Sequence, residues 1–177
     1  MSSPTLQVAV IMGSVRPGRF GPVVANWVVG QASERKDLTV DLVDLVDPER
    51  ITERLAAADA FVVVTPEYNH SYPGALKDVI DAHYLEWRAK PVAFVSYGGL
   101  SGGLRAVEHL RPVFAELHAV TIRETVSFHG AADRFAEDGQ PHDRAGTDAA
   151  ARRQFDQLVW WAQALREARA LRPYAAG

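Results

Sequence analysis

Residues 13–21 (Gly-Ser-Val-Arg-Pro-Gly-Arg-Phe-Gly) place a hydroxyl, two guanidinium groups and three glycines in one short stretch. An apolar run typical of a buried strand, residues 8–12, precedes it, and residues 23–29 follow with helical spacing. Backbone N–H groups and the positive end of a helix dipole favour an anion at such a turn, and arginine adds charge-assisted hydrogen bonds to phosphate oxygens. The stretch predicts a phosphate site. The structural alternative is a tight turn with two solvated arginines.

The spacing matches neither of the two best-known phosphate motifs. Gly13 and Gly18 have the separation of a Walker A motif, but Arg19 stands where its lysine belongs. Phe20 replaces the serine or threonine that would hold magnesium. Val15 occupies the second glycine position of Gly-x-Gly-x-x-Gly, so a dinucleotide fingerprint is absent as well.

Two further segments could complete a ligand site. Residues 66–74 bring two tyrosines, a histidine and an asparagine between prolines, which suits a planar heteroaromatic ligand. Residues 98–103 hold four glycines in six positions, which allows close approach of a ligand to backbone donors. A polar connector and a flexible loop are the respective alternatives. Together with residues 13–21, these segments predict a pocket with a phosphate end, an aromatic wall and a floor of N–H donors.

The elements that must position these segments alternate between strand and helix. Apolar runs predict buried strands at Leu6–Met12, 60–65, 92–97 and 119–123, with an edge strand at Leu38–Asp44. Helical patterns fall at 23–35, 48–58 with Asp47 as its cap, 75–84, 103–117 and 147–171. This alternation indicates a doubly wound, three-layer α/β/α domain with a parallel sheet. Ligands of such sheets lie beyond the carboxyl ends of the strands, where the strand order reverses. All three segments follow predicted strands. Residues 124–146 lack periodicity and are interpreted as a lid, an interface arm or disorder.

Composition excludes several classes of protein. The 177 residues, 47% of them hydrophobic, are expected to form one domain over residues 1–177. A net charge of −3 without a basic block argues against nucleic acid or an anionic membrane as partner. No apolar run reaches the roughly 20 residues that span a bilayer. Residues 1–4 show no export pattern, so a cytoplasmic location is expected. With no cysteine, redox chemistry requires a bound cofactor.

The three segments resemble the NADPH-dependent FMN reductase family, in the same order and spacing. The residues that carry the resemblance are 13–19, 66–78 and 97–103. That family includes quinone, azo-dye and chromate reductases with a flavodoxin-like fold, which implies a five-stranded sheet of order 2-1-3-4-5. The resemblance implies an FMN site whose phosphate end includes Ser14, Arg16, Arg19, Phe20 and Gly21. Some members have a serine–asparagine pair where this chain has Phe20 and Gly21.

The resemblance also assigns the rest of the site. It implies that the isoalloxazine ring runs along Pro66, Glu67, Tyr68 and Asn69, with its pyrimidine end at Tyr97, Gly98 and Gly99. His70 and Tyr72 are interpreted as lining the acceptor side, although His70 could equally serve as a capping or interface residue. Glu67 and His70 have the spacing of one half of a di-iron motif, but they occur once and in a proline-flanked loop. We therefore expect no metal.

These residues predict an enzyme that takes hydride from NADPH or NADH and passes two electrons to a quinone, azo, metal-oxyanion or flavin acceptor. The flavin supplies this chemistry, so no catalytic acid or base is named. The resemblance implies a homodimer or homotetramer. Two alternatives remain open, a flavodoxin-type electron carrier that oxidises no nicotinamide and a reductase that supplies free reduced FMN to a monooxygenase.

Overall fold

The computed structural model describes residues 5–47 and 49–175. Five strands form one sheet: β1 (Leu6–Met12), β2 (Leu38–Asp44), β3 (Ala60–Pro66), β4 (Pro91–Gly98) and β5 (Val120–His129). Five helices follow them in turn: α1 (Gly21–Ser33), α2 (Ile51–Ala57), α3 (Gly74–Ala82), α4 (Leu104–Glu116) and α5 (Arg144–Leu171). Residues 1–4, on which the export prediction rests, and Pro48, the predicted first residue of α2, lie outside the described residues.

The sheet is parallel throughout, with the order β2-β1-β3-β4-β5. This confirms the predicted fold class and strand order. Because successive side chains of a strand point to opposite faces, β1 sends Val8 and Val10 into one core and Ala9 and Ile11 into another. The first core is covered by α1 and α5, and the second by α2, α3 and α4.

Strand β5 is longer than predicted. Its sequence indicated an end at Arg123, where Arg123 and Glu124 interrupt the apolar pattern. The structure shows instead that the β4–β5 register shifts between Val92 and Phe94, so extra β5 residues bulge out there and pairing resumes at Thr125. The strand then runs on to His129. The first part of the segment 124–146 is therefore sheet, not a lid or an arm.

Side chains from two helices satisfy the backbone of this bulge. Buried Gln154 of α5 donates from Nε2 to the carbonyl oxygens of Phe94, at 2.7 Å, and Glu124, at 3.1 Å. Arg111 of α4 donates from Nη1 to the carbonyl oxygen of Ile122 at 2.8 Å. A buried carbonyl without a partner is costly, so the bulge is stable only when both helices are packed.

Two helix starts differ from the predictions by three residues. Helix α2 begins at Ile51, after Arg50 in a left-handed conformation, and Asp47 does not cap it. Helix α5 begins at Arg144, three residues before the predicted start, because the Asp143 side chain accepts from the N–H of Gly146 at 3.0 Å. Within the described ranges, no helix has the length and apolar content needed to cross a membrane.

A buried lysine closes the last turn of α2. Lys90, just before β4, donates from Nζ to the carbonyl oxygens of Leu55 and Ala56, at 2.9 Å each. The last carbonyls of a helix have no partner within the helix, so Lys90 supplies one. Burial, followed by the positive charge of Arg169, lowers the pKa of Lys90 from 10.5 to about 8.

Lys90 makes the free energy of unfolding depend on pH in the alkaline range. Because its pKa is lower in the folded state, the unfolded chain binds more protons between pH 8 and 10.5. The contribution of Lys90 to stability therefore rises with pH through that window. We expect the free energy of unfolding of the wild type, relative to Lys90→Met, to increase across it by at most about 3 kcal/mol. Urea denaturation of both proteins measures this, and a pH-independent difference would contradict it.

Candidate functional site

Three loops meet beyond the carboxyl ends of β1, β3 and β4. We call them the first loop (residues 13–20), the second loop (67–73) and the third loop (99–103). The first loop leads through α1 to β2 on one side of the sheet, and the second leads through α3 to β4 on the other side. The strand order therefore reverses between β1 and β3, which is where ligands of doubly wound sheets bind. The N–H of Gly13 donates to the carbonyl oxygen of Val64 at 2.9 Å and joins the two loops at their base.

The first loop presents a set of backbone donors. Within residues 5–47 and 49–175, five of its N–H groups donate to no other group: those of Ser14, Val15, Arg16, Gly18 and Phe20. The chain turns at Gly18, whose φ of +67° is a conformation that L side chains rarely adopt. Helix α1 begins directly afterwards at Gly21, and its dipole adds positive potential to the same place. This arrangement fits an anion.

The side chain of Tyr68 lies across the first loop. Its hydroxyl is 2.5 Å from Oγ of Ser14, which is fully buried. The guanidinium of Arg16, an exposed residue, stacks on the same ring, with Cζ 3.8 Å from the ring centroid. The Tyr68 side chain thus belongs to the end of the site where a phosphate was predicted, and it is the present partner of the Ser14 hydroxyl.

The two arginines of the first loop have different surroundings. Arg19 donates from Nη2 to a carboxylate oxygen of Asp44 at the end of β2, at 2.5 Å, and its side chain is only 13% exposed. Arg16 pairs with no carboxylate in the described part of the chain. Of the two arginines predicted to bind phosphate, only Arg16 therefore has no carboxylate partner and is available to an anion in this conformation.

Close packing at the start of α1 leaves one buried hydroxyl without a partner. Phe20 contacts Tyr97, with ring centroids 6.2 Å apart, and a Cβ atom on Gly21 would lie 2.9 Å from the Tyr97 hydroxyl oxygen. That oxygen is buried, makes no well-formed hydrogen bond among the described residues and lies beside the Ser14 hydroxyl. Burial raises the pKa of Tyr97 and keeps the phenol protonated. A buried polar atom without a partner is unusual and suits a polar ligand.

The second loop is a tight two-residue turn. The N–H of Tyr68 donates to the carbonyl oxygen of Ser71 at 2.9 Å, and the N–H of Ser71 donates back at 3.0 Å. The two central residues, Asn69 and His70, have φ values of 49° and 72°. Such a turn requires positive φ at both central positions, and each non-glycine residue there costs on the order of 1 kcal/mol. Both residues are exposed, so other contacts must hold the turn.

A buried carboxylate ties the second loop to the third. The Glu67 side chain is only 6% exposed and accepts hydrogen bonds from the hydroxyl of Ser101 and from Nε of Arg105, the latter at 2.5 Å. Burial alone would raise the pKa of Glu67, but the hydrogen bonds from Ser101 and Arg105 outweigh it and lower that pKa. Arg105 also donates from Nη1 to Nδ1 of His70 at 2.8 Å.

The third loop is hydrogen-bonded to β4 and β5 at Gly102 and has open space beside Gly99. The carbonyl oxygen of Gly102 accepts from the hydroxyls of Ser96, at 2.8 Å, and Ser127, at 2.7 Å. By contrast, a Cβ atom on Gly99 would meet no heavy atom within 4 Å. The loop is therefore held in place at Gly102, while Gly99 stays accessible.

The remaining predicted residues fall at different depths. Pro66 ends β3 and is buried, and Gly98 ends β4 directly beside Glu67. Tyr72 packs against the core on the α3 side. Sequence reasoning missed Ser101, Arg105, Ser96 and Ser127, and all but Ser96 make contacts across 25 or more residues of the chain. Among the described residues, no group of three or more His, Asp and Glu side chains could hold a metal ion.

Comparison with known proteins identifies the family of this chain. The family model for NADPH-dependent FMN reductase matches residues 6–133. The chain belongs to the NADPH-dependent FMN reductase family. All three loops lie inside the matched range, whereas α5 and the segment before it lie outside.

Relatives within this family are moderately similar. The NAD(P)H-dependent FMN reductase C4B3.06c of Schizosaccharomyces pombe is 37% identical over 56% of this chain and 61% of its own length. A quinone reductase of Pseudomonas putida is 31% identical over 80% of this chain and 88% of its own. The quinone reductase of Escherichia coli K12 is also 31% identical, over 69% of this chain and 76% of its own. The chain thus covers less than two thirds of the fission yeast relative.

Solved structures share the fold. The flavoenzyme NAD(P)H:(acceptor) oxidoreductase FerB of Paracoccus denitrificans superposes with a TM-score of 0.71 at 24% identity, over 90% of this chain and 98% of its own. A flavodoxin mutant of Pseudomonas aeruginosa has a TM-score of 0.60 at 20% identity, over 91% of this chain and 99% of its own. At these identities the likeness concerns the fold alone.

Proposed function

We propose that this protein is an FMN-dependent oxidoreductase that takes two electrons from NADPH or NADH and passes them to a small oxidised acceptor. The observation that carries the proposal is the first loop, where five free N–H groups lie at the start of α1 beside the unpaired Arg16. The names of its relatives, FMN reductases and quinone reductases, support the same assignment.

The residues present fit FMN. The N–H groups of the first loop and the guanidinium of Arg16 would hold the phosphate, with Ser14 joining them once its hydroxyl turns from Tyr68. The open side of Gly99 would let a flat ring approach the backbone closely. The buried hydroxyl of Tyr97, which keeps its proton, would donate to an acceptor atom of the ligand.

When bound, FMN would supply the hydride and electron chemistry, so the chain itself needs to bind and orient. Glu67 holds the second loop against the third through Ser101 and Arg105, which fixes the two walls of the crevice relative to each other. Backbone N–H groups at Tyr97, Gly98 and Gly99, at the end of β4, would stabilise negative charge on the bound ring.

We propose in addition that the protein forms a homodimer or homotetramer. Leu100, in the third loop, is 96% exposed, and Leu104, the first residue of α4, is 47% exposed. Two neighbouring exposed leucines beside a ligand site support burial by another copy of the chain.

Anaerobic reduction of the FMN-loaded protein tests the proposed function. We expect NADPH or NADH to bleach the visible absorbance of bound flavin within seconds and a quinone to restore it. Flavin that binds but is reduced by neither nucleotide would indicate an electron carrier instead. Flavin that is reduced and then leaves the protein on gel filtration would indicate a supplier of free reduced FMN. A protein that binds no flavin would refute the proposal.

A further inference from the structure

We propose that His70 donates a hydrogen bond from its Nε2 atom to a carbonyl oxygen of a quinone acceptor, and that Arg105 and Glu67 hold the imidazole in the orientation and tautomer that this requires. The inference rests on the proposed function and names the acceptor class and the residue that recognises it. Arg105 and Glu67 are positioning residues, whereas His70 touches the substrate.

The contact with Arg105 decides the tautomer of His70. Arg105 approaches Nδ1 of the imidazole with Nη1 at 2.8 Å. A guanidinium has only N–H donors, so Nδ1 must accept and cannot carry a proton. In the neutral ring the proton therefore lies on Nε2, which is a donor. No group in residues 5–47 and 49–175 engages that Nε2 atom.

The orientation of Arg105 is fixed in turn by a buried partner. Its Nε atom donates to Oε1 of Glu67 at 2.5 Å, and its backbone N–H donates to Oε2 at 3.3 Å. Glu67 is held from the other side by Ser101. The buried carboxylate thus holds the guanidinium, which is itself 44% exposed, beside His70.

His70 lies in the second loop, beyond the carboxyl end of β3, and its ring contacts the first turns of α4 at Arg105 and His109. It follows Asn69 in the turn, has a positive φ and is exposed. Neighbouring Tyr72 is half-buried against the core, whereas Asn69 and His70 are both exposed, and of these two the His70 ring is the one that Arg105 contacts. A strained backbone held by surrounding contacts is typical of functional sites.

A carbonyl acceptor matches this donor. Reduction of a quinone to a hydroquinone takes two electrons and two protons; NADPH supplies both electrons and one proton, and water supplies the second. A hydrogen bond to the quinone oxygen orients the ring and favours the charge that grows on that oxygen. An acceptor reduced by outer-sphere electron transfer, such as ferricyanide, gains nothing from a directed donor.

Nitrogen-15 NMR of the flavin-free protein tests the tautomer without any turnover. We expect the His70 ring, assigned by comparison with His70→Leu and observed at alkaline pH, to show a protonated Nε2 and an unprotonated Nδ1. In Arg105→Met the two tautomers should mix. A protonated Nδ1 in the wild type would overturn the proposal.

Half-reaction kinetics test the substrate contact. We expect His70→Leu to show a KM for 1,4-benzoquinone raised about 3- to 10-fold, as for one lost hydrogen bond, and a smaller rise in the KM for ferricyanide. His70→Gln, which keeps an N–H donor near the Nε2 position, should recover most of the loss. Leu and Gln are both unbranched at Cβ, so the cost of the positive φ is matched.

The neighbouring His109 provides a control. Its ring lies 6.2 Å from that of His70, and its Nδ1 atom pairs with the Ser71 hydroxyl at 2.9 Å. His109→Leu should leave the KM for benzoquinone unchanged. Unchanged quinone kinetics in His70→Leu, or equal losses toward quinone and ferricyanide, would overturn this proposal alone. Failure of NADPH to reduce the wild-type protein would overturn the proposed function and this proposal with it.

Discussion

Replacing Gly103 with alanine is expected to lower the free energy of unfolding by about 2 to 5 kcal/mol. Gly103 precedes α4 with a φ of +84°, and a Cβ atom there would lie 2.6 Å from Cβ of Ser96 and 2.9 Å from the backbone nitrogen of Tyr97. Both neighbours belong to β4, which is paired with β3 and β5 on its two sides, and cannot retreat without disturbing the sheet. Steric overlap therefore adds to the cost of positive φ.

Gly99→Ala is the matched control, because the same loop offers its Cβ atom open space and no positive φ. We expect its stability to lie within about 0.5 kcal/mol of the wild type. Urea denaturation of the flavin-free proteins, followed by circular dichroism, measures both variants without a contribution from ligand binding. Equal stability of the two variants would show that the third loop is not packed against β4 as described.

Replacing Arg16 with alanine is expected to raise the Kd for FMN about 10- to 100-fold, as for the loss of a charged hydrogen bond. Arg16 is the arginine of the first loop that forms no ion pair with a carboxylate among the described residues, and its guanidinium lies beside the free N–H groups. The effect should be specific to the phosphate. The Kd for riboflavin, which has the same ring and no phosphate, should therefore not change. Fluorescence quenching of either flavin measures both constants.

Two other arginines separate a local effect from a general loss of positive charge. Arg19→Ala should weaken FMN binding less than Arg16→Ala, since the Arg19 guanidinium is already bound to Asp44. Arg172→Ala, just beyond the last residue of α5, should leave binding unchanged. If Arg16→Ala binds FMN as tightly as the wild type, the first loop is only a turn. If Arg19→Ala is the more damaging, the ion pair with Asp44 must open when phosphate binds.

The strands of the central sheet could be located from sequence because each is a local signal. Leu6–Met12 and Leu38–Asp44 were predicted to the residue, the first because a buried parallel strand is a short apolar run and the second because an edge strand partly alternates between apolar and polar residues. The second half of β5 could not be found in this way. Its bulge places Arg123 and Glu124 inside a strand, and the contacts that stabilise them come from Arg111 and Gln154 on other elements.

In the candidate site too, local features could be predicted from the sequence and contacts between remote residues could not. Gly13, Gly18 and the glycines at 98–103 signalled turns and open backbone, because their conformational freedom is a property of the residue itself. Nothing in the sequence indicated which residue each polar side chain contacts. Ser101 and Arg105 meet Glu67 across 34 and 38 residues of chain, and the sequence spacing contains nothing that relates them.

By itself, therefore, the sequence determined the layered α/β architecture, the three loops that converge on one edge of the sheet and the chemistry they offer to a phosphate and a flat ring. These follow from hydrophobic periodicity and from the intrinsic properties of glycine, serine and arginine, which act over a few residues. Only the tertiary structure decided that Arg19 pairs with Asp44 while Arg16 stays free, that Tyr68 covers Ser14 and that Arg105 fixes the His70 tautomer. Each of these depends on distances of a few ångströms between segments remote in the chain, and such distances are set by how the elements pack.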